Sequence, residues 1–92
     1  MSRAERIRDK LNDGLRPRQL DVVDDSHRHE GHGGWRPEGE THFRVTVVSE
    51  AFAGKPRVQR QQLVYGLLKD ELDAGLHALQ LKTLTPEEAG LD

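Results

Sequence analysis

The chain has five histidines and no cysteine. Four of the five, His27, His29, His32 and His42, fall in the stretch HRHEGHGGWRPEGETHF at 27–43, and the fifth is His77. Neutral imidazole is a general ligand for transition metals, and it gains a proton near physiological pH. An H-x-H-x-x-H run such as His27, His29 and His32 can therefore bind zinc or nickel. A polar loop that binds nothing reads the same way. Without cysteine, a metal site in this chain must use His, Asp or Glu unless a partner brings thiolates. No disulfide can form.

Catalytic patterns are absent from the sequence. There is no G-x-S-x-G, no phosphate-binding Gly-rich loop and no H-E-x-x-H. Asp24, Ser26 and His27 lie close together in sequence, but neighbouring side chains on a strand point apart, so they do not assemble a triad. The acid pairs Asp24-Asp25 and Glu87-Glu88 read as solvated or capping groups. The expectation is a protein that binds rather than catalyses.

The elements that must position the histidines can be read from periodicity. Ser2 and Glu5 have capping-box spacing, and Ala4, Ile7, Leu11 and Leu15 recur on one face, which predicts a helix over 2–14 ended by Gly14 and Pro17. QLDVVD at 19–24 predicts a short strand, with Leu20 and Val22 on one face. THFRVTVVS at 41–49 predicts a second strand, with Phe43, Val45 and Val47 opposite His42, Arg44 and Thr46. The loop between them is longer than a tight turn, and the two strands are expected to pair antiparallel. After a turn at 50–56, a helix is expected over 56–74, with Pro56 in its first turn. Its buried face would comprise Val58, Val64, Tyr65, Leu68 and Leu72, with Arg57, Arg60 and Lys69 solvated. Gly75 ends it. LHALQLKT at 76–83 predicts a third strand, with His77, Leu79 and Leu81 on one face. TPEE at 85–88 predicts the cap of a short last helix. The order is α-β-β-α-β-α, an α+β domain with a three-stranded sheet and helices on one face, spanning 1–92 as one unit.

Size and charge narrow the function. Ninety-two residues make one small domain with a modest core. The net charge of −2 argues against binding nucleic acid through charge alone. The first residues, MSRAERIRDKL, lack the apolar stretch of a secretory signal, and no run approaches the ~20 apolar residues of a membrane span. A soluble, cytoplasmic protein is expected.

Four blocks carry a resemblance: VVDDSHRHEGH at 22–32, GETHFRVTVVSEAFAG at 39–54, RVQRQQLVYGLLKDEL at 57–72 and LHALQLKTLTPEE at 76–88. In this order, over nearly the whole chain, they resemble the BolA family. The resemblance implies an α-β-β-α-α-β fold similar to a class II KH domain, with a short helical turn at the start of the 56–74 helix. It implies a partner, a monothiol glutaredoxin, and a [2Fe–2S] cluster shared with that partner and glutathione. His77, in the H-A-L segment, is then one cluster ligand, and His29 occupies the position of the second. His32 is close enough to take its place. From the residues alone, His77 reads first as a histidine at the core edge satisfied by one hydrogen bond, and otherwise as one at the sheet end with an accessible nitrogen. His42 reads as a structural or surface neighbour, His27 as a loop residue, and Trp35 as an exposed loop aromatic or a loop contact.

The alternative function is a KH-like, DNA-binding transcriptional regulator, resting on Arg57, Arg60 and Lys69. The family usually reads R-H-R where this chain has Arg60-Gln61-Gln62, which thins that basic face. Whether the free protein is a monomer or a homodimer is open at this level.

Overall fold

The computed structural model describes residues 2–25 and 41–91. Helix α1 runs Arg3–Leu15, strand β1 Gln19–Asp24, strand β2 His42–Val48, helix α2 Arg57–Leu67, helix α3 Lys69–Asp73 and strand β3 Ala78–Leu84. A 3-10 turn, Glu50–Phe52, precedes α2.

The sheet is mixed, in the order β1-β2-β3. β1 and β2 pair antiparallel, from Gln19↔Val48 to Asp24↔Phe43, as expected for adjacent strands. β2 and β3 pair parallel, from His42↔Ala78 to Val48↔Leu84. A parallel neighbour needs a crossover, which α2 and α3 supply.

Alternation on the strands builds the core. Val22, Phe43, Val45 and Val47 are buried on the covered face, beneath Ile7, Leu11 and Leu15 of α1 and Val64 and Leu68 of the crossover. Leu20, Leu79 and Leu81 pack at its margins. The other face carries Asp21, Val23, Arg44, Thr46, Gln80 and Lys82 and forms a shallow polar concavity. Among the described residues, no helix is long and apolar enough to cross a membrane.

Helix α1 starts as its spacing predicts. The Ser2 hydroxyl accepts from the Glu5 N–H at 3.1 Å, and the Glu5 carboxylate accepts from the Ser2 N–H at 3.3 Å. Its end differs. Gly14 lies inside the helix, and Arg16 makes the left-handed turn at φ 45°. The glycine serves the packing of two helices: a Cβ at position 14 would come within 2.7 Å of both Leu67 methyls.

The helix expected over 56–74 is two helices. Pro56 caps α2 from outside, and Leu68, at φ −102° and ψ 10°, separates α2 from α3. Its buried face also differs. Val64 and Leu68 are buried and Leu72 partly so, but Val58 is 62% exposed and Tyr65 39%. At about 100° per residue, the stripe through Arg60, Leu63, Val64 and Leu67 centres on the side of the helix away from Val58 and Tyr65. The last expected helix is one turn. Its cap forms, with the Thr85 hydroxyl accepting from the Glu88 N–H at 3.1 Å, but Gly90 at φ 77° closes the turn at once. There the Leu91 N–H donates to the Pro86 carbonyl at 2.7 Å.

Candidate functional site at the start of the third strand

The parallel pairing of β2 and β3 makes both strands begin at one end of the sheet. The chain departs from β1 at that same end and returns into β2 there, because β1 is antiparallel to β2. The Asp25 N–H donates to the His42 carbonyl at 2.7 Å, tying the departure point to the return point. The segment 26–40, with His27, His29, His32 and Trp35, lies outside the described residues.

Thr41 organises what is described. Its carbonyl accepts from the His77 N–H at 2.7 Å and the Ala78 N–H at 3.0 Å. Its hydroxyl lies 2.9 Å from His42 Nδ1. The backbone of His77 is therefore fixed by the residue that also holds the ring of His42. His77 precedes β3, so the alternation that would place it with Leu79 and Leu81 does not act on it. It stands exposed at the sheet end, the second of the two positions open from sequence. The His42 ring is 5% exposed, and its centroid lies 5.3 Å from that of His77, tilted by 55°. That separation is within the range of aromatic contacts.

The approach to His77 is also fastened. Gly75 takes φ 127° after α3, and the Leu76 N–H donates to the Glu71 carbonyl at 2.9 Å. The Glu71 side chain is buried. Lys10 reaches it at 2.7 Å and Arg6 at 3.0 Å, with Arg3 at 3.6 Å. Burial alone would push the Glu71 carboxyl up, but hydrogen bonds and charge from Lys10 and Arg6 prevail and hold it below the usual carboxylate range. Arg3 also donates to the Ala74 carbonyl at 3.1 Å, so the N-terminal helix grips the turn that leads into His77.

The three basic residues considered for nucleic acid have different surroundings. Arg57 is exposed at the first turn of α2. Lys69 is exposed and pairs with Asp73 at 2.7 Å. Arg60 is not solvated as its helix position suggested: its side chain is 13% exposed. It donates to the Lys55 carbonyl at 2.7 Å, to the Thr83 carbonyl at 3.2 Å and to Glu88 at 2.6 Å. It also lies over the Phe52 ring. The Arg60 hydrogen bond is the main cause that lowers the Glu88 carboxyl to about 2. This guanidinium fastens the far end of β3 and has few donors left for a phosphate.

No three His, Cys, Asp or Glu side chains converge among the described residues in a way that could hold a metal ion. His42 and His77 are two such side chains that meet. Sequence reading missed their pairing, because alternation sets His42 on the face opposite Phe43 and says nothing of β3. The missing signal is the direction of the β2–β3 pairing.

Comparison with known proteins agrees with this architecture. A protein family described as BolA-like protein matches residues 11–88. SufE-like protein 1, chloroplastic/mitochondrial, of Arabidopsis thaliana is 50% identical over 91 residues, covering 95% of this chain and 24% of that protein. DNA-binding transcriptional regulator BolA of Escherichia coli is 40% identical, covering 91% of this chain and 76% of that protein. The solved BolA domain of SufE1 from Arabidopsis thaliana superposes with a TM-score of 0.86 at 50% identity, covering 96% of each chain. The chain thus spans about a quarter of the first relative and matches its solved BolA domain almost end to end.

Proposed function

The chain belongs to the BolA-like family, and from that premise we propose that it is a non-catalytic adaptor that pairs with a monothiol glutaredoxin. The two proteins share a [2Fe–2S] cluster in iron–sulfur trafficking or iron homeostasis. His77 is one ligand and a histidine of the 26–40 segment, His29 or His32, is the other. The glutaredoxin brings one cysteine thiolate, and its bound glutathione brings a second.

The observation that supports this reading is the exposed imidazole of His77. Its backbone is fixed, and it stands at the sheet end where the histidine-rich segment leaves at Asp25 and returns at Thr41. The donor set fits a shared cluster and not a private one. Such a cluster takes four protein-type ligands, two of which can be imidazoles, and this chain has no thiolate to complete the set. When bound, a cluster with two imidazole ligands carries less negative charge than an all-thiolate one and has a higher potential. This chain's own part is to hold one imidazole at a fixed place and bring a second to it. Because a ligating imidazole must be deprotonated, binding weakens as pH falls.

The test mixes this protein with a cluster-loaded monothiol glutaredoxin and follows visible absorption and circular dichroism. Wild type changes the cluster spectrum. His77→Ala loses that change, and so does one of His29→Ala and His32→Ala, which names the second ligand. An unchanged wild-type spectrum in a mixture shown to form a complex overturns the proposal.

The name of the Escherichia coli relative motivates a second reading, a transcriptional regulator that binds DNA. Arg57 and Lys69 are its exposed cations, while Arg60 is committed to Glu88 and two carbonyls. A salt-dependent shift of duplex DNA at physiological ionic strength would favour it, and no shift would remove it.

A further inference from the structure

The functional reading above gives His42 no role, yet this is the buried histidine against which the candidate ligand rests. We propose that His42 is a positioning residue for His77. Its ring forms a wall that limits the rotamers of the exposed imidazole, and Thr41 sets the orientation of that wall.

Thr41 is the common reference for both histidines. Its carbonyl accepts from the His77 and Ala78 N–H groups, and its hydroxyl bonds His42 Nδ1. With the backbone at 77 fixed, the remaining freedom of His77 lies in its two side-chain torsions. An exposed imidazole at a strand end ordinarily samples several rotamers and loses that freedom on binding a ligand. The His42 ring, 5.3 Å away and 5% exposed, removes part of that space before any ligand arrives. A buried ring bonded to its neighbour's hydroxyl is a firmer wall than a mobile surface side chain. This is the preorganisation that ligating residues need from their support.

Among the described residues the pair makes no metal site of its own. Two imidazoles leave most positions of a metal ion unfilled, and no third His, Cys, Asp or Glu joins them among the described residues. The wall also does not depend on what His77 binds. Only the last readout below rests on the reading of His77 as a cluster ligand.

The test compares wild type, His42→Ala, His42→Phe and Thr41→Val. Correct folding is checked by amide NMR spectra. The primary readout is the side-chain coupling constants of His77 in the protein alone, which report its rotamer populations and which a merely stabilising residue would not move. Wild type shows one dominant rotamer. His42→Ala shows averaged values, His42→Phe restores the wild-type pattern because it keeps the wall, and Thr41→Val falls between. Should His42→Ala fail to fold, Thr41→Val and His42→Gln make the same comparison. Unchanged His77 couplings in the folded variants overturn the proposal. The second readout is the affinity for the cluster-loaded glutaredoxin, expected to fall roughly tenfold in His42→Ala and to recover in His42→Phe. If the couplings change while wild type itself leaves the cluster spectrum unaltered, the positioning role stands and the cluster reading falls.

Discussion

The two ends of β3 are fastened by similar chemistry and left with different surfaces. At the start, Lys10, Arg6 and Arg3 surround Glu71, and α1 thereby holds the turn that leads to His77. At the finish, Arg60 binds Glu88, the Thr83 carbonyl and the Lys55 carbonyl, holding the last turn against α2. At the finish the charged groups are spent on one another. At the start only the Glu71 carboxylate is buried among its cations, and the turn that they hold leads to an exposed imidazole. Ion pairs here serve as fasteners, and the side chain available for binding is the one that the fasteners do not use. A search for charge alone would choose Arg60, whereas a search for unspent donors chooses His77.

The largest expected effect lies at the start of β3, in binding. His77→Ala should abolish the spectral response to a loaded glutaredoxin. Its stability should stay within about 0.5 kcal/mol of wild type, as for other exposed substitutions. A large fall in thermal midpoint would show that His77 belongs to the fold and would break the contrast.

Next in size is Glu71→Gln, which leaves Lys10 and Arg6 facing a neutral amide at a buried position. The expected loss is about 1–3 kcal/mol, measured by denaturant unfolding. Arg60→Met keeps much of the apolar stem and removes the donors to Thr83 and Lys55. A loss of about 1–2 kcal/mol is expected, with an unaltered cluster response. Equal damage to the cluster response from both substitutions would mean that the two ends are coupled through β3.

Acid titration sharpens the comparison further. Glu71 and Glu88 both have carboxyls held below their ordinary values when folded. The unfolded chain therefore takes up protons first as pH falls. Each contribution is complete above the ordinary value of 4.5 and is lost as pH drops through the folded value. For Glu88 that window runs from 4.5 down to about 2. Carboxyl NMR should show Glu88 still ionised at pH 3.5. A midpoint near 4.5 would mean that the Arg60 bond does not persist in solution. The smallest effect is that of Lys69→Ala. Its pair with Asp73 is exposed, and such pairs contribute little, so the thermal midpoint should fall by no more than about 4 °C.

Much of this arrangement was legible in the sequence. Period-two runs identified β1 and β2, and the serine and glutamate at 2 and 5 identified the start of α1, because those signals are local. The element order implied the α+β fold, and the family resemblance supplied the candidate ligand at 77. The break at Leu68 was not legible from the pattern, since Val64, Leu68 and Leu72 keep helical spacing across it and Gly66 is the one local breaker nearby. Nor was the burial of Arg60, whose partners Thr83 and Glu88 come from beyond the crossover. Gly14 read as a terminator because the approach of Leu67 is invisible to local spacing. The pairing of His42 was missed for the same reason. Its neighbour at 77 is supplied by strand direction, which no local pattern encodes.

The parallel direction of β3 has one more consequence. Seven residues at about 3.3 Å each make a strand about 23 Å long. Run the other way, β3 would put residue 77 that far from His42. What keeps the two imidazoles together is the sense of the crossover, and its length is incidental. The turn at Gly54 has open space around it. Residues inserted there would lengthen the route without moving its destination. The histidine pair can thus persist through insertions at that turn.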